Sequence, residues 1–412
     1  MRSHFFKGLQ GLTFSTLIGA LLCAPAAHGV ETVRVTVAHY SNGTAPYFRQ
    51  MAEQFERANP GIRIKVEDVN WDSLLQKLQI DVAGGVNADI SIIGTRWLPE
   101  MLQDDLVEPL DGYMDPAFRE RFIGAFLTPG QAQGKTYGLP IAASVRGLFY
   151  NKQMLAKAGF PDGPATWSDV LQAARRIKQN GGYGFGLQGK EIETDVYWYY
   201  ALWTHGGELL DAQGKPAFAS PAAIRSAKLY QSLIGEGLTQ PGVTSYSRED
   251  VQNLFKQGRL GMMISAPFVV KQLQKEVPRL QWGIVPIPTA GRAATFATTD
   301  SLILFKNSRV KRSAWKFMDF LFTKAPRVAF TSAEGFMPTT KEEAADPAFA
   351  DPLTRTFVDM LPTARFTPTV QAWEDIAKSV SNAMQAVYLN RATPEQALGA
   401  AAAQAEQALK KN

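Results

Sequence analysis

The chain of 412 residues contains one cysteine, Cys23, and four histidines. A lone cysteine excludes a disulfide framework and a thiolate metal site. Beyond residue 30 only His39 and His205 are left, and neither H-E-x-x-H nor G-x-S-x-G occurs. The usual metal-hydrolase and covalent-nucleophile arrangements therefore lack their parts. His205, beside Gly206-Gly207, reads as the end of a helix. Long apolar runs are also missing: the one from Leu9 to Cys23 is too short to span a membrane. Charge of one sign is scarce as well, since 43 Lys and Arg face 38 Asp and Glu and lie scattered among them. No basic stripe forms, so no nucleic-acid partner is expected.

What is present is ample core material. With 45% hydrophobic and 20% charged residues the composition is that of a soluble globular protein, and the length suggests two domains. The first 29 residues join Arg2 and Lys7 to the apolar run and then to small residues such as Ala24, Ala26, Ala27 and Gly29. This reads as a signal peptide cleaved before Val30 or slightly earlier, giving a periplasmic protein. Leu22 is bulky where a lipid-attachment site takes a small residue, which argues against an anchor at Cys23. Cleavage removes the only cysteine and lowers the formal charge from +5 to +3 by taking Arg2 and Lys7.

After Val30 strands and amphipathic helices alternate. TVRVTVAHY, IRIKVED and ADISIIG read as strands, each followed by a helix: APYFRQMAEQFERANPG, WDSLLQKLQIDVAGG and RWLPEMLQDDL. This βαβαβα order is the mark of a parallel sheet covered on both faces. A second unit follows LPIAASVRGLFYN. It holds the helix TWSDVLQAARRIKQNGG opened by a Thr or Ser cap, the strand YGFGLQG, an aromatic helix, helices near 221–236 and 249–257, and the strand RLGMMIS. The Ala-rich tail ALGAAAAQAEQALKK reads as an ordered terminal helix.

GFGLQG, Gly184–Gly189, matches G-x-G-x-x-G and, with Lys190, nearly a phosphate loop. Such loops need a strand before the glycines and a helix N-terminus after them, so that backbone amides face phosphate. Here a helix precedes, the glycines lie within the strand, and Glu191 stands where Ser or Thr should reach magnesium. A nucleotide site is not expected. Carboxylates are plentiful, yet nothing marks out a glycosidase pair.

Five stretches in order carry a resemblance. FRQMAEQFERANPGIRIKVE, ADISIIGTRWLPEMLQDDLVEPLD, YGLPIAASVRGLFYNKQML, FKQGRLGMMISAPF and KRSAWKFMDFLFTKAPRVAFTSAEGFMPTTK together resemble the extracellular solute-binding proteins of ABC transporters, in the sugar-binding group that includes maltose-binding protein. Ala266 and Phe268 depart from the family's usual residues at their positions. The resemblance implies an α/β fold of the type II periplasmic-binding-protein kind: two lobes joined by hinge strands, with a ligand cleft between them. It places the first lobe at 30–143 and 296–345 and the second at 144–295 and 346–412. Crossings are expected near 141–147, 290–298 and 342–350. It also implies no catalysis and no cofactor or metal. The expected partners are a carbohydrate ligand and the permease subunits of an ABC transporter, with the protein itself monomeric.

A sugar offers hydroxyls at its rim and C–H groups on its faces, so its site needs planar hydrogen-bonding groups and aromatic platforms. In open α/β sheets these come from loops after the strands. After the first strand stand His39, Tyr40, Ser41 and Asn42, where Ser41 and Asn42 either meet ligand or cap the helix. Asn70 and Trp71 follow the second strand, and Trp71 either faces the cleft or packs on its own helix. Thr95, Arg96 and Trp97 follow the third, where sugar-binding relatives place ligand contacts. Ser144 and Arg146 lie in an apolar crossing strand, and Arg146 either pairs within the protein or meets the ligand. The resemblance adds Tyr246, Phe268, Thr299, Asp300 and Trp373. The stretch TDVYWYYALW packs five aromatic rings into seven positions of one helix. Trp198, Tyr199, Leu202 and Trp203 read as its core face and Tyr197 and Tyr200 lie off it, while Thr194, Asp195 and Tyr197 at its amino end become ligand candidates, with Trp198 a further one. The ligand is a sugar, oligosaccharide or polyol. Alternatives are a secreted carbohydrate-active enzyme, or the same fold binding a sugar phosphate, a peptide or iron.

Overall fold

A computed structural model describes residues 29–190 and 194–411; the expected signal peptide, apart from Gly29, lies outside the described residues. Strand β1 (Glu31–His39) is buried continuously from Val35 to Ala38, as a strand covered on both faces must be. Helix α1 (Thr44–Ala58) turns Tyr47, Phe48, Met51, Ala52 and Phe55 inward along one stripe. β2 (Ile62–Asn70) pairs parallel with β1, and its last residue caps α2 (Trp71–Ala83), Asn70 Oδ1 accepting the Asp72 amide at 2.9 Å. β3 (Ile90–Gly94) lies parallel on the other side of β1, wholly buried.

β4 (Gly138–Val145) and β5 (Gly147–Asn151) are separated only by Arg146, yet they belong to different sheets. α3 (Trp167–Gln179) opens on a capping box in which the Thr166 side chain accepts the Asp169 amide and Asp169 accepts the Thr166 amide. β6 (Tyr183–Gly186) follows and explains the glycine motif. A Cβ on Gly184 would sit 2.3 Å from Ala174 Cβ and 2.4 Å from Ala174 Cα, so the missing side chain is what lets α3 lie against the strand.

α4 (Thr194–Thr204) carries the five rings, and all eleven of its residues are buried. It packs against α5 (Pro221–Gly235) and two later elements, so Tyr197 and Tyr200, expected off the core face, are in the core as well. A helix apolar on every side belongs inside. The chain continues through α6 (Arg248–Lys256), β7 (Leu260–Ser265), α7 (Phe268–Glu276), β8 (Trp282–Val285) and β9 (Thr295–Leu304). α8 (Lys311–Leu321), α9 (Lys324–Glu334), β10 (Ala364–Arg365), α10 (Trp373–Tyr388) and α11 (Pro394–Lys411) follow, with a further helix at Pro352–Met360 before β10. α10 and β9 are the other neighbours of α4.

The first sheet has the order β10-β9-β3-β1-β2, with β4 also pairing β9; the second has the order β8-β5-β7-β6. Each sheet has its own core, one around Phe48, Ile92, Leu302 and Phe317, the other around Trp198, Tyr230, Trp373 and Val380. Two α/β lobes result, joined where β4 passes into β5 and where β8 leads to β9. The β4–β9 register shifts between Asp300 and Ser301, opposite Pro140, which has no N–H to give. The carbonyl of the skipped Ile141 instead accepts from Arg327 Nη1 at 2.8 Å. Arg327 and Glu343 form an ion pair at 3.1 Å with both side chains fully buried. Thr331, Thr339 and Thr340 donate to the same carboxylate.

Candidate functional site

The floor between the lobes is the antiparallel β4–β9 ribbon. Ser144 lies opposite Thr298 and Ala142 opposite Asp300. Because side chains alternate along a strand, Ser144 and Arg146 share one face with Thr298 and Asp300, while Ala143 and Thr299 take the other. The bulge beside Pro140 immediately follows Asp300, a device that re-aims a side chain at a site's edge.

Above the first face lies a cavity that opens to solvent. The first lobe contributes His39 and Tyr40 from the end of β1, Asn70, Trp71 and Asp72 from the β2–α2 junction, and Phe336. The helix starts of α6 and α7 across the cleft contribute Arg248, Glu249 and Phe268. Tyr40 donates its hydroxyl to Asp300 Oδ2 at 2.7 Å. Burial, and then the Asp300 charge, push the Tyr40 phenol well above its usual range, so it stays a hydrogen-bond donor. Its ring meets the edge of Phe336 at 4.8 Å. Trp71 stacks on Trp97 at 5.2 Å between centroids, and both indoles lie over Gly94, where a Cβ would come within 3.1 Å of Trp97. The Arg248 guanidinium covers Phe268 at 5.6 Å. Below Tyr40, His39 Nδ1 meets Asp68 Oδ2 at 2.7 Å.

A second cavity shares Thr298 with the first and is lined by Thr95, Arg96 and Thr299, with Phe366, Thr367, Pro368 and Thr369 on the far side. Thr299 Oγ1 donates to Thr95 Oγ1 at 2.9 Å. Arg96 crosses from the first lobe to the second. Its Nε and Nη2 meet the two Glu374 carboxylate oxygens at 2.5 and 3.1 Å, and its Nη1 lies 3.6 Å from Asp195 Oδ2. Burial alone would favour the neutral guanidine, but Asp195 and Glu374 more than offset it and hold the proton more firmly than usual.

Of the residues singled out in the sequence, Tyr40, Asn70, Trp71, Ser144, Arg146, Phe268 and Asp300 come together around the first cavity. Thr95, Arg96 and Thr299 come together around the second. Nine line neither cavity, Thr194 and Trp198 in the buried α4 among them. Trp97 lies beneath Trp71, and Trp373 lies in the core cluster with Tyr199, each almost wholly buried. The Tyr197 hydroxyl is spent on the Ile264 carbonyl at 3.2 Å, and Asp195 accepts from Tyr199 at 2.5 Å while facing Arg96. Ser41 accepts the Gly43 amide at 2.9 Å, Asn42 is exposed, and Tyr246 packs at the edge of an apolar cluster that includes Val251, Leu254 and Phe255. The amides of Tyr40 and Ser41 go to Thr44 Oγ1, so Thr44 orders that turn. Sequence reasoning missed Asp72, Arg248, Glu249 and Phe336. The cap at Ser247, which accepts the Asp250 amide, was the available signal for Arg248 and Glu249; nothing in the sequence marked Phe336.

Residues 41–327 match the family model described as bacterial extracellular solute-binding protein, and the chain belongs to that family, which is one of binding proteins rather than enzymes. A candidate binding protein of Brucella abortus (strain 2308) is 51% identical over 397 residues, covering 95% of this chain and 97% of that one. The fold matches a solved ABC transporter solute-binding protein of Thermotoga lettingae bound with alpha-D-tagatose, at TM-score 0.83 and 23% identity, over 92% of this chain and all of that one. It also matches maltose-bound MalE3 of T. maritima at TM-score 0.84 and 22% identity, over 91% and 99% of the two chains. At these identities the likeness to the solved structures is one of fold. Among the described residues no helix is long and apolar enough to cross a membrane, and no group of three His, Cys, Asp or Glu could hold a metal ion.

Proposed function

We propose that this protein is the substrate-binding component of an ABC importer, taking a carbohydrate in the cleft between its lobes and presenting it to a membrane permease in the periplasm. The observation that carries the reading is the make-up of the first cavity. The faces of Trp71, Tyr40, Phe268 and Phe336 alternate there with the planar or hydroxyl groups of Asn70, Asp72, Ser144, Thr298 and Asp300, drawn from both sides of the cleft. Aromatic faces match sugar C–H surfaces, and fixed polar groups match hydroxyls. The tagatose- and maltose-bound neighbours support the same ligand class. The lobes are taken as 30–143 with 296–345 and 144–295 with 346–412. Closure around bound ligand would shift the population toward the state a permease recognises, so binding needs no catalytic group.

The test is a thermal-unfolding panel of sugars, polyols, sugar phosphates, amino acids and short peptides on protein beginning at Val30. A ligand at 100 times its dissociation constant adds about 2.7 kcal/mol of stability. A carbohydrate should give that shift. Stabilisation by an amino acid or peptide, with every carbohydrate inert, would overturn the reading.

A further inference from the structure

The two arginines that the sequence placed near the ligand have opposite surroundings. Arg96 is neutralised across the cleft by Glu374 and Asp195. Arg146 is 7% exposed, lines the first cavity, and has no Asp or Glu oxygen within 4.0 Å among the described residues. Its Nη1 donates to Ser144 Oγ, and its guanidinium lies over the Phe296 ring at 5.6 Å. A guanidinium has five N–H donors, so most of this fork is left to whatever occupies the cavity. Sequestering a cation from water without a counter-charge is costly, and a fork of this shape fits a carboxylate or phosphate in two-pronged fashion.

Arg146 is also held in place. It is the single residue between β4 and β5, its amide donates to Thr295 Oγ1 at 3.2 Å, and its carbonyl accepts from the same hydroxyl at 2.6 Å. The acidic groups of the cavity lie elsewhere. Asp300 stands two residues along β9 from Thr298, the partner of Ser144, roughly 7 Å of strand, and is engaged by Tyr40. Arg146 and Ser144 therefore mark the hinge side of the cavity, Asp72 and Asp300 its hydroxyl-accepting side by Trp71 and Tyr40, with Arg248 and Glu249 on the wall supplied by α6.

We propose that the carbohydrate carries an anionic group, a carboxylate or a phosphate, seated against Arg146 and Ser144, with its hydroxyl-bearing ring toward Asp300. This rests on the carbohydrate reading and narrows it from sugars in general to acidic ones. A neutral sugar would leave the hinge charge uncompensated in the closed state. An acidic one completes the pair on binding.

The test uses matched ligands in calorimetry on protein beginning at Val30: glucose, glucuronate and glucose 6-phosphate, and galactose, galacturonate and galactose 1-phosphate. In at least one set an acidic member should bind tenfold or more tighter than its neutral parent, and which member wins separates carboxylate from phosphate. Arg146→Gln should weaken that member by about thirtyfold or more, the scale for leaving one partner of a buried charge pair alone. Arg146→Lys keeps the charge without the fork and should fall between; it also serves if the Gln variant fails to fold. A neutral sugar that binds as tightly as its acidic partners overturns the anionic inference and leaves the carbohydrate reading standing. If no member of either set binds while an amino acid or peptide does, both fall. If nothing binds at all, the acidic-sugar inference is likewise overturned.

Discussion

Opening the cleft must separate Arg96 from Glu374 and Asp195, because the arginine follows β3 in the first lobe and the two acids stand in the first turns of α10 and α4 in the second. The Arg96 side chain is 11% exposed, Glu374 17% and Asp195 0%. Replacing Arg96 by Met strands two carboxylates in a closed, poorly hydrated gap. Breaking a buried pair in this way costs about 3–5 kcal/mol. Glu374 keeps some access to water and gains more when the lobes part, so a loss of roughly 2–3 kcal/mol in the closed state relative to the open one is expected. That is on the order of a 30- to 150-fold shift in the closed-to-open ratio. Cys23 is the only cysteine, so protein beginning at Val30 can be labelled cleanly at Glu53→Cys on α1 and Ser232→Cys on α5, both exposed positions. Distance measurements between the labels should show Arg96→Met moved toward longer separations, with a matching loss of ligand affinity. Glu374→Gln should move it less, since Asp195 still faces the guanidinium. Unchanged distances and an affinity within twofold of the native protein would refute the reasoning.

Three further outcomes follow from the frame. Arg327→Met leaves Glu343 buried without its cation and should lower unfolding stability by about 3–5 kcal/mol in urea titrations. Burial pushes the Glu343 carboxyl up, but Arg327 and Thr331 more than offset it and hold it below its usual range; its stabilisation is complete above the ordinary carboxylate pKa and is lost as pH falls through the depressed value. Glu334 runs the other way, since burial outweighs the bonds from Thr44 and Ser41 and raises its pKa. The folded state then holds a proton that the unfolded chain has released, so stability falls as pH rises between the ordinary and raised values, and Glu334→Gln should flatten that slope. Gly184→Ala drives a methyl into the Ala174 backbone and should cost about 1–3 kcal/mol in thermal unfolding; a neutral effect would mean that α3 is free to move away from β6.

The alternation of β1, α1, β2, α2 and β3 was readable because each helix carries an apolar stripe, β1 and β3 each a short buried run, and β2 an apolar-polar alternation. Thr166 announced α3 through its own capping box. The aromatic helix could not be oriented from its sequence, because rings on every side give no stripe to follow and its neighbours α5, α10 and β9 lie far along the chain. The same distance hid the fates of the two arginines. Arg96 meets a carboxylate 278 residues away, while the Arg146 guanidinium meets the Ser144 hydroxyl two residues back and the Phe296 ring across the ribbon. Nothing local to either arginine distinguishes them. The rule that ligand groups follow strands singled out Tyr40, Asn70 and Trp71, which line the first cavity; Phe336 lines it too but follows a helix, where that rule does not look.

The aromatic and acidic wall of the first cavity is where the ligand is expected to be held. The decisive measurement is calorimetric titration of the carbohydrate that most stabilises the native protein into Trp71→Ala and Asp300→Asn. Loss of a ring platform or of a charged acceptor is worth about 1.5–3 kcal/mol, so each variant should bind roughly 10- to 150-fold more weakly while remaining folded by circular dichroism. Native affinity in both variants would place the site elsewhere and contradict the account.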